Sequence, residues 1–343
     1  MPLLPPLLRF TLRRAGALVV LCFGISVVAF LLTTQVPADP VTANLGQAAL
    51  ADPAAVRAFR EHYGLNKPLP VQYILYVDRL LHGNLGESEQ SHRPVLADLE
   101  QYVPATAELT VAAMLIAYVV GITTGVISAV RRGRLADTVI RVLTLVGVSV
   151  PIFWLALIAL FVFFYLLGWV PGGGRLSPAI ASAPSVTGFY TIDALLAGDW
   201  GVFVNALQHL ALPACVLAAN NIGMITRFTR ASLLEVLGKD YILAAQAKGL
   251  RSRTVILQHA LRAALPPILT VSGLAFANVL TGTVLVETIF SWPGIGQYAF
   301  RSATTLDLPA IMGVTLFIAF VYAAINMVID LLHTLVDPRV HVA

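Results

Sequence analysis

The chain has 343 residues, of which 22 are basic and 18 are acidic, so that only 12% of the side chains are charged. A typical soluble domain has about 25% charged residues. With 58% hydrophobic residues and a mean hydropathy of +0.82, the composition excludes a disordered chain and argues against a soluble enzyme.

Six segments of at least 22 residues contain no Asp, Glu, Lys or Arg. A helix that crosses a bilayer needs about 20 mostly apolar residues, and lipid forces such a segment to be helical because it offers the backbone no hydrogen-bond partner. We therefore predict an all-α, polytopic membrane protein with six transmembrane helices. The six segments are 15–38, 109–130, 142–174, 200–226, 263–286 and 308–329.

The first segment also resembles a secretory signal peptide, because Arg9, Arg13 and Arg14 precede an apolar stretch. That stretch is longer than the roughly 7–15 residues of a signal peptide, which favours a retained membrane anchor. Residues 1–34 are therefore predicted to form an N-terminal cytoplasmic end and the first transmembrane helix.

A long loop follows the first predicted span. Residues 35–103 are predicted to be extracytoplasmic and to contain short helices, since apolar side chains recur at helical spacing over 69–82 and 95–103. The third predicted region, 104–343, is a core of five helices with a cytoplasmic loop at 227–265.

The orientation follows from the positive-inside rule. With both termini in the cytoplasm, the inner segments carry 15 Lys and Arg residues and the outer segments carry 7. The opposite orientation would reverse this bias. Both termini are therefore predicted to be cytoplasmic.

Motifs for enzyme chemistry are absent from the sequence. It contains no G-x-x-x-x-G-K-[ST] phosphate loop and no His or Cys spacing typical of a metal centre. We predict no catalytic residue, no metal site and no cofactor in this chain. The predicted spans also contain no ionisable group at mid-membrane depth, which disfavours an ion-coupled secondary transporter without eliminating it.

Four asparagines are the notable polar residues within the predicted spans. Interhelical hydrogen bonding and the lining of a polar translocation path both remain open interpretations for them. They are Asn220, Asn221, Asn278 and Asn326.

The largest cytoplasmic segment, 227–262, has the pattern of two or three short helices, over 230–237, 240–248 and 252–264, rather than of a simple connection. Residues 240–248 form one of these, with Asp240 predicted as its N-cap and Gly249 as its C-terminal stop. The small side chains of Ala244, Ala245 and Ala247 favour entry of this helix into a groove on a partner protein. An amphipathic helix lying on the lipid surface is the alternative.

This segment resembles a motif of a known family. Asp240-Tyr241-Ile242-Leu243-Ala244-Ala245-Gln246-Ala247-Lys248-Gly249-Leu250 is similar to the cytoplasmic EAA loop of permease subunits in ABC importers. Leu243 occupies the place of the family's Glu, a departure typical of the dipeptide, oligopeptide and nickel branch. The segment Ser291-Trp292-Pro293-Gly294-Ile295-Gly296 is similar to the outer loop after the fifth helix in that branch, and the start and end of the chain resemble its first permease.

The resemblance implies the type I ABC importer permease fold and a role in importing di- or oligopeptides, with nickel or another small solute as the alternative cargo. It implies that a coupling helix contacts the ATPase and that an outer segment contacts a solute-binding protein. The coupling residues are Asp240, Tyr241, Ala244, Ala245, Ala247, Lys248, Gly249 and Leu250, and the contact residues are Trp292, Pro293 and Gly294.

Partners and location also follow from the resemblance. It implies a heterodimer with a sister permease, two ATPase subunits or one fused ATPase that carry ATP and Mg, and an extracytoplasmic solute-binding protein. The surrounding partner is membrane lipid, and no nucleic acid is expected. The predicted location is the cytoplasmic membrane of a prokaryote. A structural scaffold without a substrate is a third functional class.

Overall fold

The computed structural model describes residues 6–35, 52–64 and 66–336, and every regular element in those ranges is a helix. The helices, numbered in chain order, are α1 Pro6–Gln35, α2 Pro53–Tyr63, α3 Leu69–Leu81, α4 Val95–Val130, α5 Leu135–Ser149, α6 Ile152–Leu166, α7 Tyr190–Leu196, α8 Trp200–Leu237, α9 Asp240–Ala247, α10 Ser252–Ile289, α11 Ile295–Thr305 and α12 Leu308–Val336. The all-α prediction is therefore confirmed.

The chain divides into two compact units. The first comprises Met1–Tyr102 and Tyr298–Ala324, and the second comprises Val103–Gln297 and Ile325–Ala343. In the first unit, α1 packs on α3 through aromatic rings, and the hydroxyl groups of Ser26 and Tyr73 lie 2.8 Å apart.

The core of the second unit is built around α8, which packs against α5, α6, α7 and α10. Small and branched side chains fill it, so the helices approach closely. For example, a Cβ atom at Gly121 would lie 2.8 Å from Ile225 Cγ2. The buried side chains at the centre of this cluster include Leu109, Ala156, Leu217, Val279 and Trp292.

Four helices among the described residues are long and apolar enough to cross a membrane. They lie in α4, α8, α10 and α12, and therefore coincide with the second, fourth, fifth and sixth predicted spans. Within α1, the stretch Gly16–Leu31 is apolar but shorter. The count of six transmembrane helices therefore stays a prediction.

The third predicted span, 142–174, is not one straight helix. It consists of α5 and α6, whose axes meet at 103° around Val150 and Pro151. Proline has no N–H and restricts the residue before it to extended backbone, so the helix ends there. If this bent pair counts as one span, the structure has up to five by length and composition.

Several predicted short helices are parts of longer ones. The predicted helix over 69–82 is confirmed as α3, whereas 95–103 is the first part of α4. Residues 230–237 complete α8, and residues 252–264 belong to α10, which continues through Pro266 and Pro267. Proline is tolerated inside membrane helices, where neighbouring helices hold the segment in place.

Candidate functional site: helix α9, the polar face and the two helix-end clusters

Helix α9 is attached to the second unit mainly through one side chain. Ile242 is completely buried in an apolar cluster that also contains Leu233, Val255 and Ala264. Ala245 packs against the same cluster. Burial of an isoleucine side chain contributes about 1.5–3 kcal/mol, so this contact fixes a short helix that would not be stable alone.

The remaining surface of α9 is exposed. Of the eight predicted coupling residues, seven are exposed and Ala245 is half-buried. Tyr241 and Leu243 are each about half exposed. The structure therefore leaves a small, largely apolar surface at this position.

Gly249 ends α9 in the left-handed conformation, with φ at +78°. Its N–H donates to the carbonyl oxygen of Gln246 at 2.9 Å, and the N–H of Leu250 donates to that of Ala245 at 3.4 Å. These two bonds form a Schellman motif, in which a residue without a Cβ atom is strongly favoured. The predicted stop is therefore confirmed.

The predicted N-cap of α9 is wrong by one residue. Lys239 occupies the capping position without a side-chain hydrogen bond, and Asp240 is the first helical residue. The carboxylate of Asp240 still lies in the first turn, where a negative charge interacts favourably with the helix dipole.

Asn220 compensates for the break between α5 and α6. Its Nδ2 group donates to the carbonyl oxygen of Val148 at 3.4 Å. In an unbroken helix, the carbonyl of Val148 would accept a hydrogen bond from the N–H of Ile152, four residues later. The turn at Pro151 breaks that hydrogen bond. The position of Asn220 therefore favours interhelical packing over the lining of a path.

Two other asparagines are also enclosed by protein. Asn221 is buried, and its Nδ2 group donates to the carbonyl oxygen of Leu217 at 3.3 Å. Its Oδ1 atom has no hydrogen-bond partner in the described part of the chain. Asn326 is half-buried, and its Oδ1 atom would lie 3.2 Å from a Cβ atom placed on Gly273. Both positions are typical of helix packing.

Asn278 differs from the other three because its side chain is exposed. It belongs to a continuous exposed face of α10, whose residues recur every three or four positions. We call this face the polar face because half of its residues are polar. The polar face consists of Pro267, Thr270, Leu274, Asn278, Thr281 and Leu285. The sequence pattern indicates Asn278 but not the two threonines.

Helix α4 provides a contrast within the same unit. Over residues 111–130 its exposed face is aliphatic except for Thr123, and it includes Val111, Leu115, Val119 and Ile127. Aliphatic faces are suited to hydrocarbon, whereas polar side chains within spans usually face protein or a water-filled cavity. The polar face of α10 is therefore the best candidate for a surface that lipid does not cover.

At the end of α10, the carboxylate of Glu287 organises the predicted contact segment. The hydroxyl group of Thr106 donates to its Oε1 atom at 2.6 Å, and the N–H of Gln297 donates to its Oε2 atom at 3.0 Å. Thr106 in turn accepts the N–H of Ile295 at 2.7 Å. A Cβ atom on Gly294 would clash with both Glu287 and Thr106, which explains glycine there.

Trp292 is part of this packing rather than of an accessible surface. Its side chain is 1% exposed, and its Nε1–H donates to the carbonyl oxygen of Ala105 at 2.9 Å. Gly294 is buried and Pro293 is half-buried. A docked protein has no access to the Trp292 side chain in this conformation, so of the three predicted contact residues only Pro293 presents a surface.

A second buried network, which the sequence did not reveal, holds the segment after α6. Arg175 forms a buried ion pair with Glu108 at 2.5 Å and lies over the ring of Tyr190 at 3.7 Å. Burial alone would raise the pKa of Asp193, but hydrogen bonds from Thr187 and Gly188 outweigh it and lower that pKa. The network is structural in character.

Near the other end of the second unit, Asp137 forms a cluster that links α5 to α8. Its carboxylate accepts two hydrogen bonds from the guanidinium of Arg230, at 2.8 and 2.9 Å, and one from the hydroxyl of Ser128 at 2.6 Å. Asp137 is 1% exposed, so this bidentate pair is nearly desolvated on its acidic side. Within the described ranges, no three His, Cys, Asp or Glu residues converge as a metal site would require.

The chain is similar to known membrane transport proteins over nearly its whole length. Residues 121–342 match the family model described as "Binding-protein-dependent transport system inner membrane component", and residues 7–110 match the model of the N-terminal region of such membrane components. A probable D,D-dipeptide transport system permease protein of Escherichia coli is 43% identical over 96% of both chains. A di/tripeptide transport system permease protein of Pseudomonas aeruginosa is 42% identical over 97% of this chain and 99% of that protein.

Among solved structures, the MetNI methionine ABC transporter has a chain that aligns with 68% of this chain and 93% of its own length. The TM-score is 0.46 and the sequence identity is 15%.

Proposed function

This chain belongs to the family of inner membrane components of binding-protein-dependent transport systems, and on that premise we propose that it forms part of the translocation path for short peptides in an ATP-driven importer. The relatives named above are permeases for dipeptides or for di- and tripeptides, which supports a peptide cargo. The single observation that carries the mechanism is the exposed surface of α9, fixed to the membrane helices by Ile242.

In this proposal, α9 is the coupling helix and docks on an ATPase subunit, which binds ATP and Mg. Asp240, Tyr241, Ala244, Ala247, Lys248, Gly249 and Leu250 offer the contact surface, while Ala245 supports the helix from below. The sequence neighbours of α9 are α8 and α10, both long helices. Movement of the ATPase would therefore act on both helices at once through α9.

The polar face of α10 is proposed to line the path together with a sister permease. The hydroxyls of Thr270 and Thr281 donate to carbonyl oxygens of their own helix, but the amide of Asn278 would be unfavourable against hydrocarbon. A passing peptide presents amide groups that need hydrogen-bond partners. Asn278 is central on this face and has no hydrogen-bond partner among the described residues. It is the only one of the four predicted asparagines that we retain for the path.

We further propose that both termini are cytoplasmic, which places α9 on the side of the ATP supply. The count of basic residues in the two sets of loops supports this orientation. A solute-binding protein would then deliver the peptide to the opposite side. Two ATPase subunits or one fused ATPase would complete the assembly.

The substitution Gly249→Asp tests the coupling role. It introduces a side chain and a charge on the docking surface at φ +78°, so we expect ATP-dependent uptake of a labelled dipeptide to be lost while the amount of permease in the membrane stays normal. Stimulation of the co-purified ATPase by a dipeptide-loaded binding protein should be lost as well.

Gly83→Asp is the matched control. Gly83 has φ at +76°, is exposed and has no atom within 4 Å of a Cβ position, as is true of Gly249. The Gly83→Asp variant therefore introduces the same backbone strain at a site remote in sequence from α9, and we expect normal uptake. Normal uptake by Gly249→Asp, or equal loss in both variants, would contradict the coupling assignment and leave the family assignment intact.

A further inference from the structure

A pocket of about 380 Å³ lies between α5 and α8, beside the Asp137 cluster. This volume is within the range of about 300–1,000 Å³ that is usual for small-molecule sites. We call it the arginine pocket because three arginines contribute to its wall. It is lined by Ser128, Thr138, Arg141, Val142, Thr144, Leu145, Val148, Gly223, Thr226, Arg227, Arg230 and Ala231.

The three arginines are not equivalent. The guanidinium of Arg230 is held by the carboxylate of Asp137 in a bidentate pair. Arg141 and Arg227 are exposed, and neither has an ion-pair partner in residues 6–35, 52–64 and 66–336. The pocket therefore carries two positive charges that the described protein does not neutralise.

The rest of the wall is mainly apolar. Val142, Leu145 and Val148 follow one another at helical spacing on α5, and Val142 and Leu145 are more than half exposed. The hydroxyls of Ser128 and Thr144 are already hydrogen-bonded, to Asp137 at 2.6 Å and to the backbone of Arg141 at 3.0 Å. A ligand that matches this wall has an anionic group at one end and an apolar body at the other.

The location of the pocket further restricts the class of ligand. The contact of Asp137 with Arg230 brings the beginning of α5 close to the last part of α8. The two segments that contain these helix ends, 131–141 and 227–262, carry 11 Lys and Arg residues. The positive-inside rule assigns such an end to the cytoplasmic leaflet. Basic pockets between membrane helices on that side are suited to anionic lipid head groups.

We propose that the arginine pocket binds an anionic phospholipid of the cytoplasmic leaflet, with Arg141 and Arg227 contacting its phosphate and the side chains of Val142 and Leu145 contacting its acyl region. A zwitterionic phospholipid has no net charge to offset the two guanidinium groups, so the site selects for net negative charge. The proposal concerns lipid and does not depend on which peptide is transported.

The test uses the complete transporter, purified with its sister permease and ATPase subunits and exchanged into nanodiscs of phosphatidylcholine with phosphatidylglycerol. Native mass spectrometry then measures how much phosphatidylglycerol each complex retains. A direct, partly exposed ion pair between a guanidinium and the phosphate is worth up to about fivefold in affinity, so the double variant Arg141→Gln/Arg227→Gln should retain up to about 25-fold less.

Arg131→Gln/Arg132→Gln is the matched control. Both arginines are exposed in the loop between α4 and α5 and lie outside the arginine pocket, so this variant removes the same charge. It should retain the wild-type amount of phosphatidylglycerol. The variant Arg141→Lys/Arg227→Lys keeps both charges and should also retain it, which separates loss of charge from loss of folding.

Equal retention by the glutamine double variant and the wild type would overturn the proposal, as would equal loss in the control variant. Absence of phosphatidylglycerol enrichment in the wild-type complex would overturn it as well. A fourth contrary outcome is unchanged lipid retention with a changed preference between a dipeptide and its C-terminal amide, because the arginines would then recognise the cargo carboxylate.

Discussion

The carboxylate of Glu287 joins residues that are distant in sequence. Thr106 lies 181 positions before it and Gln297 lies 10 positions after it, and both donate hydrogen bonds to its oxygens. A buried carboxylate is stable only when such donors surround it. Gly294 and Gly296 leave room for these donors to approach the carboxylate closely. A sequence motif alone does not reveal this requirement.

A substitution at Gly296 tests this packing. A Cβ atom there would lie 2.7 Å from the Cα atom of Val284, and a backbone atom has little freedom to move away. We expect Gly296→Ala to destabilise the protein by about 1–3 kcal/mol and to lower the Tm of the purified complex. Gly16→Ala is the control, because no atom lies within 4 Å of its Cβ position. An unchanged Tm for Gly296→Ala would contradict the close packing.

At the scale of whole helices, the absence of charge predicted four long apolar helices but not their ends. Helix α4 begins at Val95 although Asp98 and Glu108 lie in it, and α8 continues past Arg227 and Arg230. A charged residue marks where a chain leaves the lipid, whereas a helix ends where its capping and packing end. The two boundaries coincide only by chance.

The same limit explains what was missed in the candidate site. Gly249 was predictable because a helix stop is a local property of the backbone. The burial of Trp292 and the exposure of Asn278 depend on which helices are neighbours, and periodicity alone does not provide that information. The polar face became recognisable only once α8 was seen to cover the opposite side of α10.

Helix α10 provides a test of the path by cysteine accessibility. In a background with Cys22→Ser and Cys215→Ser, we expect Asn278→Cys in the assembled transporter to react with a charged, membrane-impermeant thiol reagent, since thiolate forms only in contact with water. Leu115→Cys and Val119→Cys, on the aliphatic face of α4, should not react. If Asn278→Cys is as unreactive as these controls, α10 does not line a water-filled path.

At the scale of the whole molecule, the question is what drives transport. An ion-coupled transporter needs a group that gains and loses charge within the membrane. Two of the buried carboxylates described above lie near helix ends and are held by several donors, Asp137 by a guanidinium and a hydroxyl and Glu287 by hydroxyl and backbone groups. Neither arrangement resembles a relay that crosses the bilayer.

We therefore expect uptake in vesicles to require ATP and to survive collapse of the proton gradient. The measurement is the initial rate of labelled dipeptide uptake at constant ATP concentration, with and without an uncoupler. Vesicles without ATP are the control and should show no uptake. A rate that falls with the uncoupler at constant ATP would favour secondary transport instead.

The turn at Val150 and Pro151 also limits what can surround the molecule. After a 103° change of direction, the first N–H groups of α6 have no acceptor in their own helix, and hydrocarbon provides none. This corner is therefore more stable against water or protein than against hydrocarbon. A detergent or lipid belt around the assembled transporter should leave it uncovered.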